Sequence, residues 1–141
     1  MTPQQFDIDV QKWIGKAHSN ARAVVVESLF DIFEEVIRLQ PVLSGNLRRS
    51  WFAAINARPS GTENGNDDAF AQVNMVYPTV DPGDIIYTSN FAAYSRRIEL
   101  GFVGEDSLGR FYNQAGRHTV ATALDRAPAI VADAARRVAK R

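Results

Sequence analysis

The strongest constraint in the sequence is an apolar period that begins after Thr2 and stops at a proline. Phe6, Val10, Trp13 and Ala17 are spaced four, three and four. Val25, Leu29, Ile32, Val36 and Leu39 are spaced four, three, four and three. Both spacings place side chains on one face of an α-helix. A second row, Val26, Phe30, Phe33 and Ile37, lies beside the later set, so the second half has a broad apolar face and the first half a narrow one. Thr2 before Pro3 reads as a cap and first helical residue. Pro41 disfavours helical geometry at Gln40 and ends the helix. A continuous helix of that length would be on the order of 55 Å long, more than a compact domain of this size needs. Gly15 and His18-Ser19-Asn20 are the places where it would bend or break. The expectation is a single domain over residues 1–141, in which this is either one core helix with a frayed start or a helix whose first part, residues 1–20, is an extended arm that packs on a neighbouring subunit.

After Pro41 the pattern changes. Ser44 is expected to cap a short turn over residues 45–50, with Leu47 facing inward and Arg48 and Arg49 facing solvent. Trp51 to Ile55 carries apolar residues on both faces and reads as a strand covered on both sides. Residues 57–68 (ARPSGTENGNDD) form a loop. Asp67 to Pro78 fits a short helix or a strand, and helix is preferred. Asp81-Pro82-Gly83-Asp84 is a turn, and residues 85–90 (IIYTSN) a strand. Phe91 to Leu100 reads as a short helix with Tyr94 and Ile98 on one face, closed by Gly101. Residues 102–112 read as an exposed loop and 113–141 as helical. Pro128 is expected to divide that last stretch, with Asp125 capping a new helix. The order helix, strand, strand, helix predicts an α+β fold, one small antiparallel sheet packed with a long N-terminal and a C-terminal helix. Two strands alone are marginal, so oligomerisation is expected to complete the sheet.

Composition narrows the function mainly by exclusion. The chain has no cysteine, so thiol catalysis and cysteine-based zinc sites are excluded. Its 16 basic and 16 acidic side chains cancel, which gives no support for a strongly basic nucleic-acid binder. No apolar stretch approaches the length of a membrane span, and the first residues lack the pattern of a signal peptide, so a cytosol-like environment and no membrane partner are expected. The histidines, His18 and His118, have no companions at metal-ligand spacing, and no Gly-x-Ser-x-Gly elbow supports a hydrolase. Glu63 to Asp68 has oxygen ligands but lacks the order of a calcium loop. No catalytic residue, cofactor or metal is expected. Three arginine pairs, Arg48-Arg49, Arg96-Arg97 and Arg136-Arg137, offer the alternative of a small nucleic-acid-binding protein if they converge on one face.

Two segments carry a family resemblance. Pro41 to Trp51 (PVLSGNLRRSW) resembles the T-P-V-D-T-G-x-L-R-x-S turn of small neck and tail-completion proteins of long-tailed bacteriophages. About forty residues after Trp51, Tyr94 to Gly101 (YSRRIELG) resembles their Y-A-x-x-x-E-x-G element. Between them lie a Gly-rich insertion and a Gly-Asp turn into a strand ending in Asn90. Leu43 stands where the family has Asp, and Ser44 where it has Thr. The loop after Gly101 keeps only Gln114-Ala115-Gly116 of the family wording. The resemblance implies a non-enzymatic virion protein. It would form a homo-oligomeric ring at the head–tail neck or top of the tail and join it to adjoining neck, tail-terminator or tail-tube proteins. Genomic DNA would pass through the ring without sequence-specific binding. The motif residues then act in architecture: Ser44 and Gly45 shape the turn, and Leu47, Arg48 and Trp51 anchor it. Tyr94, Ile98 and Glu99 fix the helix before Gly101.

Overall fold

The computed structural model describes residues 2–42 and 44–141, so the substitution at Leu43 lies outside the described residues. Helix α1 spans Pro3–Leu39. The Thr2 hydroxyl accepts a hydrogen bond from the Gln5 amide at 3.1 Å, and Gln40 is extended, as the following proline requires. The helix passes through Gly15 and residues 18–20 unbroken. A glycine there costs about 1 kcal/mol but removes no backbone donor, so the hydrogen-bond ladder persists. From Gln4 to Ser19 every residue except half-buried Val10 is exposed.

The rest of the chain packs on the second half of α1. Strand β1 (Trp51–Ile55) pairs antiparallel with β2 (Ile86–Asn90), with Trp51 opposite Asn90 and Ile55 opposite Ile86. Helix α2 (Ala71–Val76) resolves the ambiguous segment as helix and covers β1. The core forms where these elements meet α1: Phe33, Val36, Ile37, Trp51, Ala53, Val73, Tyr77 and Ala123. Phe33 is its centre. It meets Trp51, Phe70 and Tyr77 edge-on, at centroid distances of 5.6, 5.1 and 6.3 Å. Burial of β1 is one-sided at its start: Trp51 and Ala53 are buried, while Phe52 is half-buried against Phe91.

Helix α3 (Ser95–Leu100) leads directly into β3 (Gly101–Glu105), which pairs with β4 (Phe111–Ala115). The segment expected to be a loop over 102–112 is thus a hairpin, and the fold has two small antiparallel sheets rather than one. Every β4 residue is exposed, so no buried face imposed the alternation by which strands are recognised. Helix α4 (Thr119–Ala139) therefore begins six residues later than the helical reading from Asn113, and it crosses Pro128 without a break. Pro128 lies on the exposed side, where water can meet the Leu124 carbonyl that loses its intrahelical donor. Helix α4 runs back along α1, with Arg126 bonded to Glu35, Arg137 to Asp31 and Arg141 to Glu27. The fold class is α+β, with the two long helices packed on each other. Among the described residues no helix is long and apolar enough to cross a membrane.

Candidate functional site

The segments 41–51 and 94–101 meet in a cleft of about 170 Å³ lined by Gln40, Leu47, Trp51, Asn90, Ile98, Glu99 and Val120, among others. From the first segment, Leu47 and Trp51 reach it, both buried. The Trp51 indole donates to Gln40 Oε1 at 3.4 Å, and the Leu47 carbonyl accepts from Asn90 Nδ2 at 2.7 Å. Asn90 also receives the Ala92 amide on its Oδ1, at 2.9 Å. This one side chain thus ties the end of β2 to the turn before β1.

From the second segment come Ile98 and Glu99. The Glu99 carboxylate takes the place of an N-cap for α4. Its oxygens accept from the amides of Val120 at 3.1 and 3.2 Å and of Ala121 at 3.1 Å, and from the Thr119 hydroxyl at 3.0 Å. His118, at the cap position itself, has φ +50° and makes no side-chain cap. Burial pushes the Glu99 carboxyl up, but the bonds from Ala121, Val120 and Thr119 outweigh it and hold the group below its ordinary value. A charged carboxylate at a helix N-terminus is also favoured by the helix dipole.

Gly101 explains itself by two observations. Its φ is +85°, and a Cβ there would lie 2.7 Å from both the Gln114 carbonyl oxygen and the Gly116 nitrogen. Gly116 approaches from the other side: its Cβ would lie 2.5 Å from the Glu99 carbonyl oxygen. The Ile98 and Glu99 carbonyls accept from the Arg117 and His118 amides at 2.8 and 3.1 Å. Two glycines thus let the end of α3 and the end of β4 pass backbone to backbone.

The remaining motif residues lie outside the cleft. Ser44 does not cap a turn over 45–50. Among the described residues its hydroxyl accepts only from the Asn46 amide, at 3.4 Å, and the helical turn spans Arg48–Ser50. Gly45, at φ +81°, interrupts helical geometry immediately after Ser44. Arg48 and Arg49 are half-buried rather than solvated. Arg48 donates to the Ile37 carbonyl at 3.3 Å, and Arg49 to Asn64 Oδ1 at 2.6 Å. Tyr94 precedes α3 and offers its carbonyl to the Ile98 amide.

Several residues that hold this unit together were not singled out from the sequence. Ser50 is fully buried. Its hydroxyl donates to the Asn46 carbonyl at 2.7 Å and accepts from the Asn64 amide at 2.8 Å. Asn66 Nδ2 donates to the carbonyls of Arg49 and Trp51 at 3.1 and 2.7 Å. Glu63 Oε1 accepts from Asn46 Nδ2 at 2.8 Å and the Ala93 amide at 3.2 Å. The Gly-rich insertion is therefore pinned to the motif turn by its own polar side chains. Asn90 was visible only as the polar end of a strand, and Gly116 only as a remnant of family wording.

Other candidate chemistry is dispersed. Among the described residues, no group of three or more His, Asp or Glu side chains is placed to hold a metal ion. His18 and His118 are exposed, on the arm and at the start of α4. The arginine pairs are largely engaged: Arg97 stacks over the Phe102 ring at 3.9 Å, Arg136 bonds Asp133, and Arg137 donates to Asp31 at 2.6 Å. No protein-family model matches the chain, and no curated protein or solved structure matches it.

Proposed function

We propose that the chain is a structural protein of the virion of a long-tailed bacteriophage, a ring-forming subunit at the head–tail neck or the top of the tail. It acts there in tail completion and head–tail joining, by self-assembly and contact with adjoining neck or tail proteins. The observation that carries this reading is the use made of the two segments resembling that family. They converge on one seam, and Leu47, Trp51, Glu99 and Gly101 are all committed to internal architecture there. Residues used in this way build a scaffold: each of these four is tied to a neighbouring element or closely approached by its backbone. Large apolar side chains remain exposed outside it, including Trp13, Val103, Leu108 and Phe111, which suits a subunit buried further in an assembly. The alternative of a nucleic-acid binder draws less support, because Arg48, Arg49, Arg136 and Arg137 are held by protein acceptors.

The test is complementation. Virions assembled without this protein should accumulate unjoined heads and tails, and purified protein should restore joining and infectivity. Normal joining in its absence, or purified protein that never associates with heads or tails, would overturn the proposal.

A further inference from the structure

The exposed half of α1 carries a pattern that selects its own partner. Phe6 and Trp13 are 59% and 71% exposed, and with Val10, Ile14 and Ala17 they line one side of the arm. A single helix of this length is marginal in water without an apolar partner. Phe6, Val10, Trp13 and Ala17 fall on the two core positions of a seven-residue repeat. Asp9 and Lys16 then occupy one and the same flanking position, one heptad apart. In a parallel pair that position faces a different one. In an antiparallel pair it faces itself, which sets Asp9 of each arm against Lys16 of the other.

We infer that the arms of two copies of this chain pair antiparallel along this stripe. Phe6 then meets Ala17 of the second copy and Val10 meets Trp13, a large residue against a smaller one in every layer. Both Asp9–Lys16 contacts are attractive in this register, and Ile8 points away from the seam. The space is free. The stripe continues along α1 as Val24 and Asp31, each seven residues on, where α4 already covers the helix through Arg137 to Asp31 and Arg141 to Glu27. A second arm centred on Gln11 and Lys12 would end near Asn20, just short of the end of α4. It would thereby extend the α4 layer along α1, meeting it near the pocket that Ser19 and Arg141 line. Burying one such face on each arm removes on the order of 1,000 Å² from water, about where specific interfaces begin. This twofold contact cannot close a ring, so it is additional to any ring interface and does not depend on the virion reading.

Sedimentation of the full chain at low salt tests it. The expected result is a reversible dimer with Kd on the order of 10 µM. Asp9→Lys should weaken it about tenfold or more by placing like charges across the seam. The double variant Asp9→Lys/Lys16→Asp should restore it, since the pair is merely reversed. Both exchanged positions, Asp9 and Lys16, are exposed in the single chain, so folding is preserved, as circular dichroism would verify. A chain that stays monomeric up to about 200 µM, a dimer indifferent to Trp13→Ala, or a double variant no better than the single one would each overturn the inference.

Discussion

The carboxylate of Glu99 caps a helix that begins twenty residues after it, accepting the Val120 amide at 3.1 Å. The last helix therefore depends for its start on a side chain from the helix before the hairpin. Glu99→Ala leaves the amides of Val120 and Ala121 and the hydroxyl of Thr119 without this acceptor. It is expected to lower stability by about 2 kcal/mol. Glu99→Gln, which keeps an oxygen but loses the charge, should cost less. Urea midpoints of both variants check this, and an unchanged midpoint for Glu99→Ala would remove the cap from the account.

The crossing of Gly101 and Gly116 makes a second, sharper test. A methyl group at Gly116 meets backbone atoms of Glu99 and Leu100 at 2.5 and 2.6 Å, which cannot rotate aside. Gly116→Ala should therefore cost about 3 kcal/mol by forcing the two backbones apart. Gly15→Ala is the control. Nothing lies within 4 Å of a Cβ there, and the residue is inside an exposed helix. That variant should gain up to about 1 kcal/mol. Thermal unfolding of the pair distinguishes a crowded glycine from an idle one.

Acid should act on the same contacts. The Arg38 hydrogen bond lowers the Glu35 pKa, burial opposes it, and Arg126 adds to the lowering, bringing it from 4.5 to about 2. Glu99 is displaced in the same direction. For groups whose folded pKa lies below the unfolded one, the stabilisation is complete above the unfolded value. It is lost as pH falls through the folded value. Stability should hold level from neutrality to about pH 5 and then decline toward pH 2. Glu35→Gln should flatten part of that decline in denaturant midpoints taken across the range, and an unaltered slope would count against the Arg38–Glu35–Arg126 contact.

The residues show why some of this was legible in the sequence. Helix α1 was readable because its apolar period and Pro41 are local signals, and β2 because β-branched and aromatic residues cluster in it. The hairpin of β3 and β4 was not, because β4 is wholly exposed, β3 has no buried residue, and two glycines, Gly101 and Gly104, interrupt β3. At the seam, resemblance pointed to Glu99 and Gly101, but their partners lie thirteen or more residues away. A carboxylate capping a later helix, or two glycines crossing, is a tertiary relation that no local spacing encodes. Arg48 and Arg49 were misplaced for the same reason. Their acceptors, the Ile37 carbonyl and Asn64, come from α1 and the insertion.

Pro128 gives the last test. It sits inside α4 with helix on both sides, lacks the amide that would bond to the Leu124 carbonyl, and is exposed. An interior helical proline is less favourable than alanine by about 3 kcal/mol. Part of that is offset because proline also restricts the unfolded chain, by about 1 kcal/mol. Pro128→Ala should thus stabilise the protein by about 1–2 kcal/mol, raising the unfolding midpoint by several degrees. The gain should appear without any change in the Arg126–Glu35 and Arg137–Asp31 contacts that hold α4 to α1. A lower midpoint would mean that the helix needs the bend its proline allows in order to keep both arginines in reach of α1.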